Sequence, residues 1–398
     1  MPVRLNFLIF IVGLFLGSQP TAGQTSGCPE IRSLCTSSTL TSSGSGNIGN
    51  RGAINSHAYS KLAFKQVIFY SLRQPNHPFK MTEVFDDMFS DELAPGWVGG
   101  VLSIALHHKR SVGQWAYSLM ERYAGQPPPL YVYGMTPFED DEHAELVTRE
   151  LMNSYASTKA LLFAHGFRTS FEDAARAIAV LHVDSKSTSV PVLVSWPSRH
   201  SVGLTQDEYK TAQLNAGQTS KYFAGVWPHL TDAGFSRVDV VAHSMGADMM
   251  LGSFEALVNH YGRRPDALGH IIFAAGDVEH GRANRMVRQS LTSPDNLVVS
   301  YCSTYDAVLF LSRQINGDRR LGECYDNGQG GAEIVKIIRA YRRQDTLRHS
   351  YLFYEPLILR DIGSILASGK TAEQRGLAAD GNLWLLRYKK SNMVAGKE

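Results

Sequence analysis

The feature that most constrains the fold of this chain is a repeated alternation of short apolar runs with amphipathic segments, from about residue 61 to residue 356. Short runs rich in Val, Ile, Leu and Phe are typical of buried strands, and the amphipathic segments are typical of helices. The alternation predicts an α/β protein with a mostly parallel central sheet and helices on both faces. The predicted strands cover residues 65–72, 98–106, 129–135, 159–167, 190–196, 237–243, 269–277 and 296–304.

Two of the predicted helices have recognisable start signals. In the first, Thr136 and Glu139 have the spacing of a capping box, and Pro137 suits the first turn. Thr169 and Glu172 have the same spacing before the next helix. We interpret the acidic cluster at residues 139–143 as a first helical turn, where acids favour the helix dipole, rather than as a metal site. The sequence has no H-E-x-x-H and no paired C-x-x-C motif, so we expect neither a metal nor a cofactor.

The first residues are typical of an export signal. Arg4 precedes an apolar run at residues 7–17, and small residues follow at 21–23. Because the run is too short to cross a bilayer as a mature helix, residues 1–23 are predicted to be a signal peptide. We therefore expect an exported protein, periplasmic or secreted, with no transmembrane segment in the mature chain. A retained N-terminal anchor is the alternative, and lipid attachment at Cys28 is disfavoured because the preceding residues lack a large aliphatic side chain.

The rest of the chain divides into three predicted parts. Residues 24–60 form a Ser/Gly-rich tether, residues 61–360 form the α/β domain, and residues 361–398 form a C-terminal extension. The four cysteines allow three pairings, of which Cys28 with Cys35 and Cys302 with Cys324 bring near neighbours together. The alternative for Cys302 is a small buried apolar residue in a strand.

Charge excludes one class of partner. The 398 residues carry a net charge of +2, which falls to about +1 when the segment containing Arg4 is removed. A nucleic-acid-binding protein normally needs a concentrated basic surface, so we expect no nucleic-acid partner. The oligomeric state stays open.

A serine between small residues follows one of the predicted strands, in the stretch "VDVVAHSMGA". Ala242, Ser244 and Gly246 fit a relaxed G-x-S-x-G pattern, which places a serine on a sharp strand-to-helix turn. The residues before it read as a strand and those after it as a helix, as this turn requires. The pattern predicts that Ser244 is a nucleophile, and the alternative is an inert serine in a turn.

Such a nucleophile needs two N–H donors for the oxyanion. In this architecture one belongs to the residue after the serine, here Met245, and the other to a loop after an earlier strand. The sequence His165-Gly166-Phe167 supplies that loop: Gly166 allows close approach of the backbone, and Phe167 offers the second N–H.

A base and its acid should follow the serine along the chain. His349 is the only histidine after the last candidate aspartate, so it is predicted to be the base by elimination. Asp306 is the preferred acid because it ends the last strand before His349. Asp277 is the rival acid, since it also ends a strand at the edge where sites gather. His243 is expected to point to the opposite side of its strand.

Several segments together resemble a known family. The segments "LLFAHGFRTSFEDAARA", "VLVSWPSRHS", "VDVVAHSMGADMM", "IIFAAGDVE", "YCSTYDAVLFLSR" and "RHSYLFY", in this order, resemble the bacterial α/β-hydrolase family of unknown function numbered nine hundred, which is grouped with esterases and lipases. The resemblance covers roughly residues 61–356 and implies an α/β-hydrolase fold. It also implies Ser244 as nucleophile, Asp306 as acid and His349 as base, with an oxyanion loop at residues 165–167.

The resemblance also bears on two further side chains. Trp196 of "SWPS" is expected either to wall the substrate pocket or to lie in the core. The family's loop usually reads H-G-F-N-T, and Arg168 here stands where the asparagine would be. A long cation there either favours acidic substrates or points to solvent.

The function predicted from these residues is a serine hydrolase, acting on a small-molecule or lipid carboxylic ester through an acyl-enzyme. One alternative is an acyltransferase that uses the same three residues. The other is a non-catalytic exported binding protein on a hydrolase fold.

Overall fold

The computed structural model describes residues 62–76, 88–107, 130–198, 205–325, 332–337 and 347–387. Within these ranges the strands are β1 (Leu62–Pro75), β2 (Phe89–His107), β3 (Leu130–Pro137), β4 (Lys159–Ala164), β5 (Val190–Ser195), β6 (Arg237–His243), β7 (Leu268–Ala274), β8 (Val298–Cys302), β9 (Glu333–Ile337), β10 (Ala378–Asp380) and β11 (Leu383–Leu386). The α-helices are α1 (Asp141–Tyr155), α2 (Phe171–Asp184), α3 (Gln206–Asp232), α4 (Gly246–Tyr261), α5 (His280–Met286), α6 (Ala307–Asn316), α7 (Tyr351–Tyr354) and α8 (Pro356–Ser368). The predicted signal peptide, the tether, Cys28 and Cys35 lie outside the described residues.

The strands form one sheet in the order β10-β11-β9-β8-β7-β6-β4-β5-β1-β2-β3. All pairs from β1 through β5, β4, β6, β7, β8 and β9 to β11 are parallel. The pairs β1–β2, β2–β3 and β10–β11 are antiparallel. The predicted fold class is confirmed: the protein has a mostly parallel central sheet with helices packed on it.

Alternation along the central strands produces two apolar layers. In β4, Leu161 and Phe163 join the core on one face of the sheet, while Leu162 joins the core on the other. Successive side chains of a strand point to opposite faces, so a strand that is apolar at every position is covered on both. Helices α3 and α4 contribute Phe223 and Phe254 to the layer that holds Leu162, whereas α2 and α8 contribute their apolar side chains to the layer that holds Leu161 and Phe163.

Both capped helices begin later than predicted, so the proposed caps at Thr136 and Thr169 were wrong. Strand β3 continues to Pro137, which pairs with Gly100, and α1 begins only after Asp140. The Asp140 side chain accepts the His143 N–H at 2.8 Å. Helix α2 is capped by Ser170. In both cases, the backbone at the predicted start of the helix is instead hydrogen-bonded or paired with a neighbouring strand or loop. The acidic residues do lie in the first turn of α1.

The strand order places a crevice beside β4. Strand β5 lies on one side of β4 and β6 on the other, so the chain reverses its direction across the sheet at this point. The helices after β4 and β6, α2 and α4, therefore pack on opposite faces. Loops that diverge in this way leave a space beyond the carboxyl ends of the strands, where ligands bind in open α/β sheets.

The C-terminal segment is part of the same sheet. The boundary predicted at residue 360 falls inside α8, and β11 pairs in parallel with β9. Arg375 is bonded to Asp361 of α8 and Glu333 of β9, which ties this segment to the domain. Cys302 at the end of β8 forms a disulfide with Cys324. None of the helices in the described ranges has the length and apolar character needed to cross a membrane.

Candidate active site

Ser244 occupies a strained turn between β6 and α4. Its φ of 54° lies in the left-handed region, which a non-glycine residue adopts only when its surroundings hold it there. Gly246 meets the end of β4 so closely that a Cβ would lie 2.4 Å from the carbonyl oxygen of His165. The small residue predicted two positions after the serine is therefore a steric requirement of the turn.

The neighbouring strand holds the backbone of this turn. The Ser244 N–H donates to the carbonyl of Ala274 at 3.0 Å, and its own carbonyl accepts the Asp277 N–H at 3.0 Å. The Ala247 N–H also donates to the Ser244 carbonyl, at 2.9 Å. These bonds keep the serine side chain at the carboxyl edge of the sheet.

The structure brings Ser244, His349 and Asp306 into one hydrogen-bonded row. The Ser244 hydroxyl lies 2.8 Å from Nε2 of His349. Nδ1 of the same ring lies 2.8 Å and 3.0 Å from the two carboxylate oxygens of Asp306. Because a carboxylate only accepts, Nδ1 carries the ring proton, and Nε2 accepts the serine hydroxyl. This is the geometry of an alcohol beside a base that an acid orients.

Asp306 is fixed by the helix that follows it. It is the N-cap of α6, and its Oδ1 accepts the N–H groups of Val308 and Leu309 at 3.1 Å and 3.0 Å. The Ala307 N–H donates to the carbonyl of Leu347, two residues before His349, at 3.1 Å. The loops that carry Asp306 and His349 are therefore joined through their backbones.

Asp277, the rival acid, belongs to a different cluster. It is buried and accepts from Nε of Arg320 at 2.7 Å and from the Tyr209 hydroxyl at 2.8 Å. The Ser312 hydroxyl also donates to it. Its carboxylate compensates the buried charge of Arg320 and holds α3 and α6 together. The structure therefore places Asp306, and not Asp277, against the histidine.

The loop at residues 165–169, which contains the predicted oxyanion loop and keeps that name below, lies directly against the serine. A Cβ on Gly166 would lie 2.8 Å from Cβ of Ser244, so only glycine allows this approach. Phe167 follows it and packs edge-on against Tyr209. Among the described residues, the N–H groups of Phe167 and Met245 donate no hydrogen bond to a protein acceptor.

His165 and Trp196 support the start of this loop rather than lining an open pocket. Trp196 is fully buried, and its ring stacks on His165 at 5.4 Å between centroids. The indole N–H donates to the His165 carbonyl at 2.9 Å, and the Trp196 backbone N–H donates to Nε2 of His165 at 3.1 Å. Burial, and then the charge of Arg73, lower the pKa of His165 well below its usual value. The ring is neutral and accepts that bond.

Sequence reasoning gave His243 no part in the site, but the structure places its ring against His349. Its Nε2–H donates to the backbone carbonyl of His349 at 3.2 Å, and the two rings lie 5.1 Å apart. Its ring also packs against Phe353 of α7. Burial, followed by repulsion from His349, lowers the pKa of His243 to about 3, so this ring is neutral. Its adjacency to the serine in sequence was the only available signal.

Arg168 has the backbone conformation that explains the family's usual asparagine. Its φ is 55°, in the left-handed region that asparagine tolerates better than most residues. Burial lowers the pKa of this partly buried arginine, while the charge of Glu208 acts in the opposite direction. Its side chain therefore lies over the protein, near the start of α3.

The surface next to Asp306 and His349 is aromatic and cationic. Tyr305, which precedes Asp306, is 68% exposed, and Phe310 of α6 is 44% exposed. The Arg348 guanidinium lies 5.0 Å from the centre of the Tyr305 ring. Within the described ranges, no group of three or more His, Cys, Asp or Glu side chains is arranged to hold a metal ion.

The comparisons with known proteins agree with the fold. The chain is an α/β hydrolase by architecture, and a family model described as "Alpha/beta hydrolase of unknown function (DUF900)" matches residues 139–365. The match covers more than half of the 398 residues, so the chain belongs to this family. The family resemblance noted from the sequence motifs is thus confirmed for residues 139–365. A comparison with curated protein sequences finds no match.

Solved structures show more distant similarity. Aspergillus fumigatus lipase B has 14% identity and a TM-score of 0.33 over 52% of this chain and 52% of that one. The chain thus spans about half the length of that lipase. A Pyrobaculum calidifontis esterase has 12% identity and a TM-score of 0.31, over 57% of this chain and 92% of its own. EstE1, a thermophilic carboxylesterase from a metagenomic library, has 12% identity and a TM-score of 0.24, over 56% and 82%. Similarity at this level adds nothing to the argument about activity.

Proposed function

We propose that the protein is a serine hydrolase that cleaves carboxylic esters, with Ser244 as nucleophile, His349 as base and Asp306 as acid. The observation that carries the proposal is the continuous row from the Ser244 hydroxyl through His349 to the Asp306 carboxylate. A serine hydroxyl becomes an effective nucleophile only when a positioned base takes its proton.

In the proposed reaction, Oγ of Ser244 attacks the ester carbonyl while Nε2 of His349 takes the hydroxyl proton. Asp306 holds Nδ1 and stabilises the imidazolium, and the N–H groups of Phe167 and Met245 receive the oxyanion. When the intermediate collapses, the C–O bond breaks and His349 returns the proton to the leaving alcohol. Water then attacks the acyl-enzyme through the same histidine, which releases the acid and restores Ser244.

The surface around the row favours an ester with an apolar part. Tyr305 and Phe310 expose aromatic faces beside Asp306, and aromatic side chains contribute large contact areas to a ligand. On this ground we propose a small-molecule or lipid ester as the substrate. The same acyl-enzyme would serve acyl transfer if an alcohol or amine replaced water, and product analysis with added acceptors separates the two reactions.

The test is fluorophosphonate labelling of the purified protein, followed by intact-mass analysis. We expect one adduct on the wild type and none on Ser244→Ala, which should also lower turnover by ~10⁶. Ser253→Ala is the matched control: this buried serine lies on α4 and bonds the Met249 carbonyl, and its loss should leave labelling intact. A well-folded wild type that takes no label would refute the proposal and favour a binding protein.

Export belongs to the same proposal. The supporting observation is the disulfide between Cys302 and Cys324, because disulfides persist mainly in oxidising compartments. We propose that residues 1–23 are removed on export and that the mature protein is periplasmic or secreted. The mass of the protein recovered from each cell fraction tests this, since a chain retained in the reducing cytosol with its first residues intact would contradict it.

A further inference from the structure

A buried arginine outside the proposed catalytic row lies close to the oxyanion loop. Arg73, near the end of β1, is 1% exposed. Its Nε donates to the Ser195 hydroxyl at 3.0 Å, and its Nη1 donates to the Asp91 carboxylate of β2 at 2.6 Å. A buried charge is tolerated only when it is paired and hydrogen-bonded, and Arg73 meets both conditions. Because burying a charged guanidinium costs free energy, we expect Arg73 to have a role beyond packing.

The same guanidinium holds the end of the oxyanion loop. Its Nη2 donates to the carbonyl of Thr169 at 2.5 Å and to the Ser198 hydroxyl at 3.2 Å. That hydroxyl in turn donates to the Thr169 carbonyl at 2.9 Å and accepts the Thr169 N–H at 3.2 Å. The Ser198 carbonyl accepts the Arg168 N–H at 3.0 Å. Arg73 and Ser198 therefore fix two consecutive residues of the loop.

The loop is consequently held on both sides of Phe167. On one side, His165 is stacked on Trp196 and Gly166 packs against Ser244. On the other side, Thr169 is bound by Arg73 and Ser198. The charge of Arg73 also helps to keep His165 neutral. The Phe167 peptide between these two attachments has little freedom to move.

We propose that Arg73, acting through Ser198 and the Thr169 backbone, is a positioning residue that aims the Phe167 N–H at the oxyanion. The inference rests on the proposed serine hydrolase function. Arg73 and its partner Asp91 lie in β1 and β2, upstream of residues 139–365 that match the family model. On this proposal, the antiparallel strands β1 and β2 contribute to the geometry of the site as well as to the sheet.

The expected effect follows from how oxyanion donors act. Removing one donor outright lowers kcat by about 10²–10³, because the bond strengthens only as charge develops in the transition state. In Arg73→Met the loop is released at one end, so the Phe167 N–H is still present but is no longer held in the direction of the oxyanion. We therefore expect Arg73→Met to lower kcat by about 10². Ser198→Ala removes one of the two links and should lower kcat by about tenfold. KM should change less than about threefold for both variants, because the ground-state carbonyl depends little on the donor.

The experiment compares Arg73→Met, Arg73→Lys and Ser198→Ala with wild type. Fluorophosphonate titration counts competent sites, so that kcat refers to folded enzyme. The affinity of a trifluoromethyl ketone, which forms an oxyanion on the serine, is measured in parallel and should fall by the same factor as kcat. Arg73→Lys keeps the charge but lacks the planar fork and should recover part of the loss. The matched control is Arg149→Met, an arginine on α1 that is 57% exposed and pairs only with Glu145 within the described residues.

A merely structural role for Arg73 would lower the titrated fraction and the melting temperature while kcat per site stayed near the wild-type value, and this result overturns the inference. A shifted midpoint of the pH–rate profile also overturns it, because the residue would then act on His349. If Arg73→Met does not fold, Ser198→Ala decides, since it removes a single hydroxyl. If wild type itself takes no label, the proposed function fails, and the inference fails with it for that separate reason.

Discussion

The two buried aspartates near Ser244 provide a crossed test of the site. Asp306 contacts His349, whereas Asp277 is bonded to Arg320. We therefore expect Asp306→Asn to abolish most activity while leaving stability intact. We expect Asp277→Asn to lower stability while leaving most activity intact. The two substitutions are chemically identical, so each serves as the control for the other.

The size of the Asp306→Asn effect follows from the hydrogen bonds around the carboxylate. Oδ1 accepts two backbone N–H groups of α6, so the oxygen of an asparagine must take that position. Its NH₂ group then faces Nδ1 of His349, which has to give up its proton and act as acceptor. The proton moves to Nε2, and the ring no longer accepts from Ser244. This wrong tautomer should lower kcat by ~10⁴, or about 5.4 kcal/mol of transition-state stabilisation.

Stability should respond in the reverse sense. Asparagine is as good an N-cap as aspartate, so Asp306→Asn should change the free energy of unfolding by less than about 0.5 kcal/mol. Asp277→Asn removes the counter-charge of Arg320, which is 4% exposed. Leaving a buried charge without its partner costs about 3–5 kcal/mol.

The assay measures kcat per titrated site with a nitrophenyl ester, together with unfolding in urea. We expect Asp277→Asn to keep kcat within about tenfold of wild type, because its carboxylate does not contact the histidine. A loss of ~10³ or more in that variant, with Asp306→Asn nearly as active as wild type, would refute the assignment of the acid.

Three further predictions concern the framework of the site. Gly246→Ala places a Cβ against the His165 carbonyl and should lower the free energy of unfolding by about 1–3 kcal/mol, measured in urea; an unchanged midpoint would mean that the turn has room to spare. Replacing Cys302 and Cys324 by serine opens a loop with a sequence separation of 22 and should cost about 3 kcal/mol, which a comparison with the reduced wild type checks. His182 has a pKa lowered to about 4, chiefly by burial, so the unfolded chain binds its proton first as the pH falls below about 6.5. The stability contributed by the neutral His182 ring is present above that pH and is lost as the pH falls towards 4. Between pH 6 and pH 5, the fall in the free energy of unfolding should therefore be smaller by about 1 kcal/mol in His182→Gln than in wild type. An unaltered pH dependence of stability would contradict this.

Much of the fold was predictable from local patterns. The run at residues 237–243 matches β6 residue for residue, because its apolar residues from Val240 to Ala242 are fully buried and the turn at Ser244 ends the strand. The small residues around Ser244 were informative for a similar reason. Gly246 has to approach the end of β4, and that steric demand appears directly in the sequence.

Other features depended on contacts between distant segments. The helix after β3 begins at Asp141, four residues after Pro137, because that proline pairs with Gly100 of β2. No local sequence signal indicates how far a segment will pair with a neighbouring strand. Likewise, the two readings of Trp196 could be separated only once His165 was seen stacked on it in the core.

By itself, the sequence determined the α/β class, the turn at Ser244 and the glycine-containing loop opposite it, because these follow from periodicity and from steric rules acting over a few residues. Only the tertiary structure decided which aspartate faces His349, where His243 lies and what Arg73 holds. Asp277 and Asp306 both follow strands at the same edge of the sheet, so sequence position could not separate them. Which aspartate contacts the histidine is decided by side-chain contacts between loops far apart in the chain. Arg320 binds the carboxylate of Asp277, and His349 binds that of Asp306.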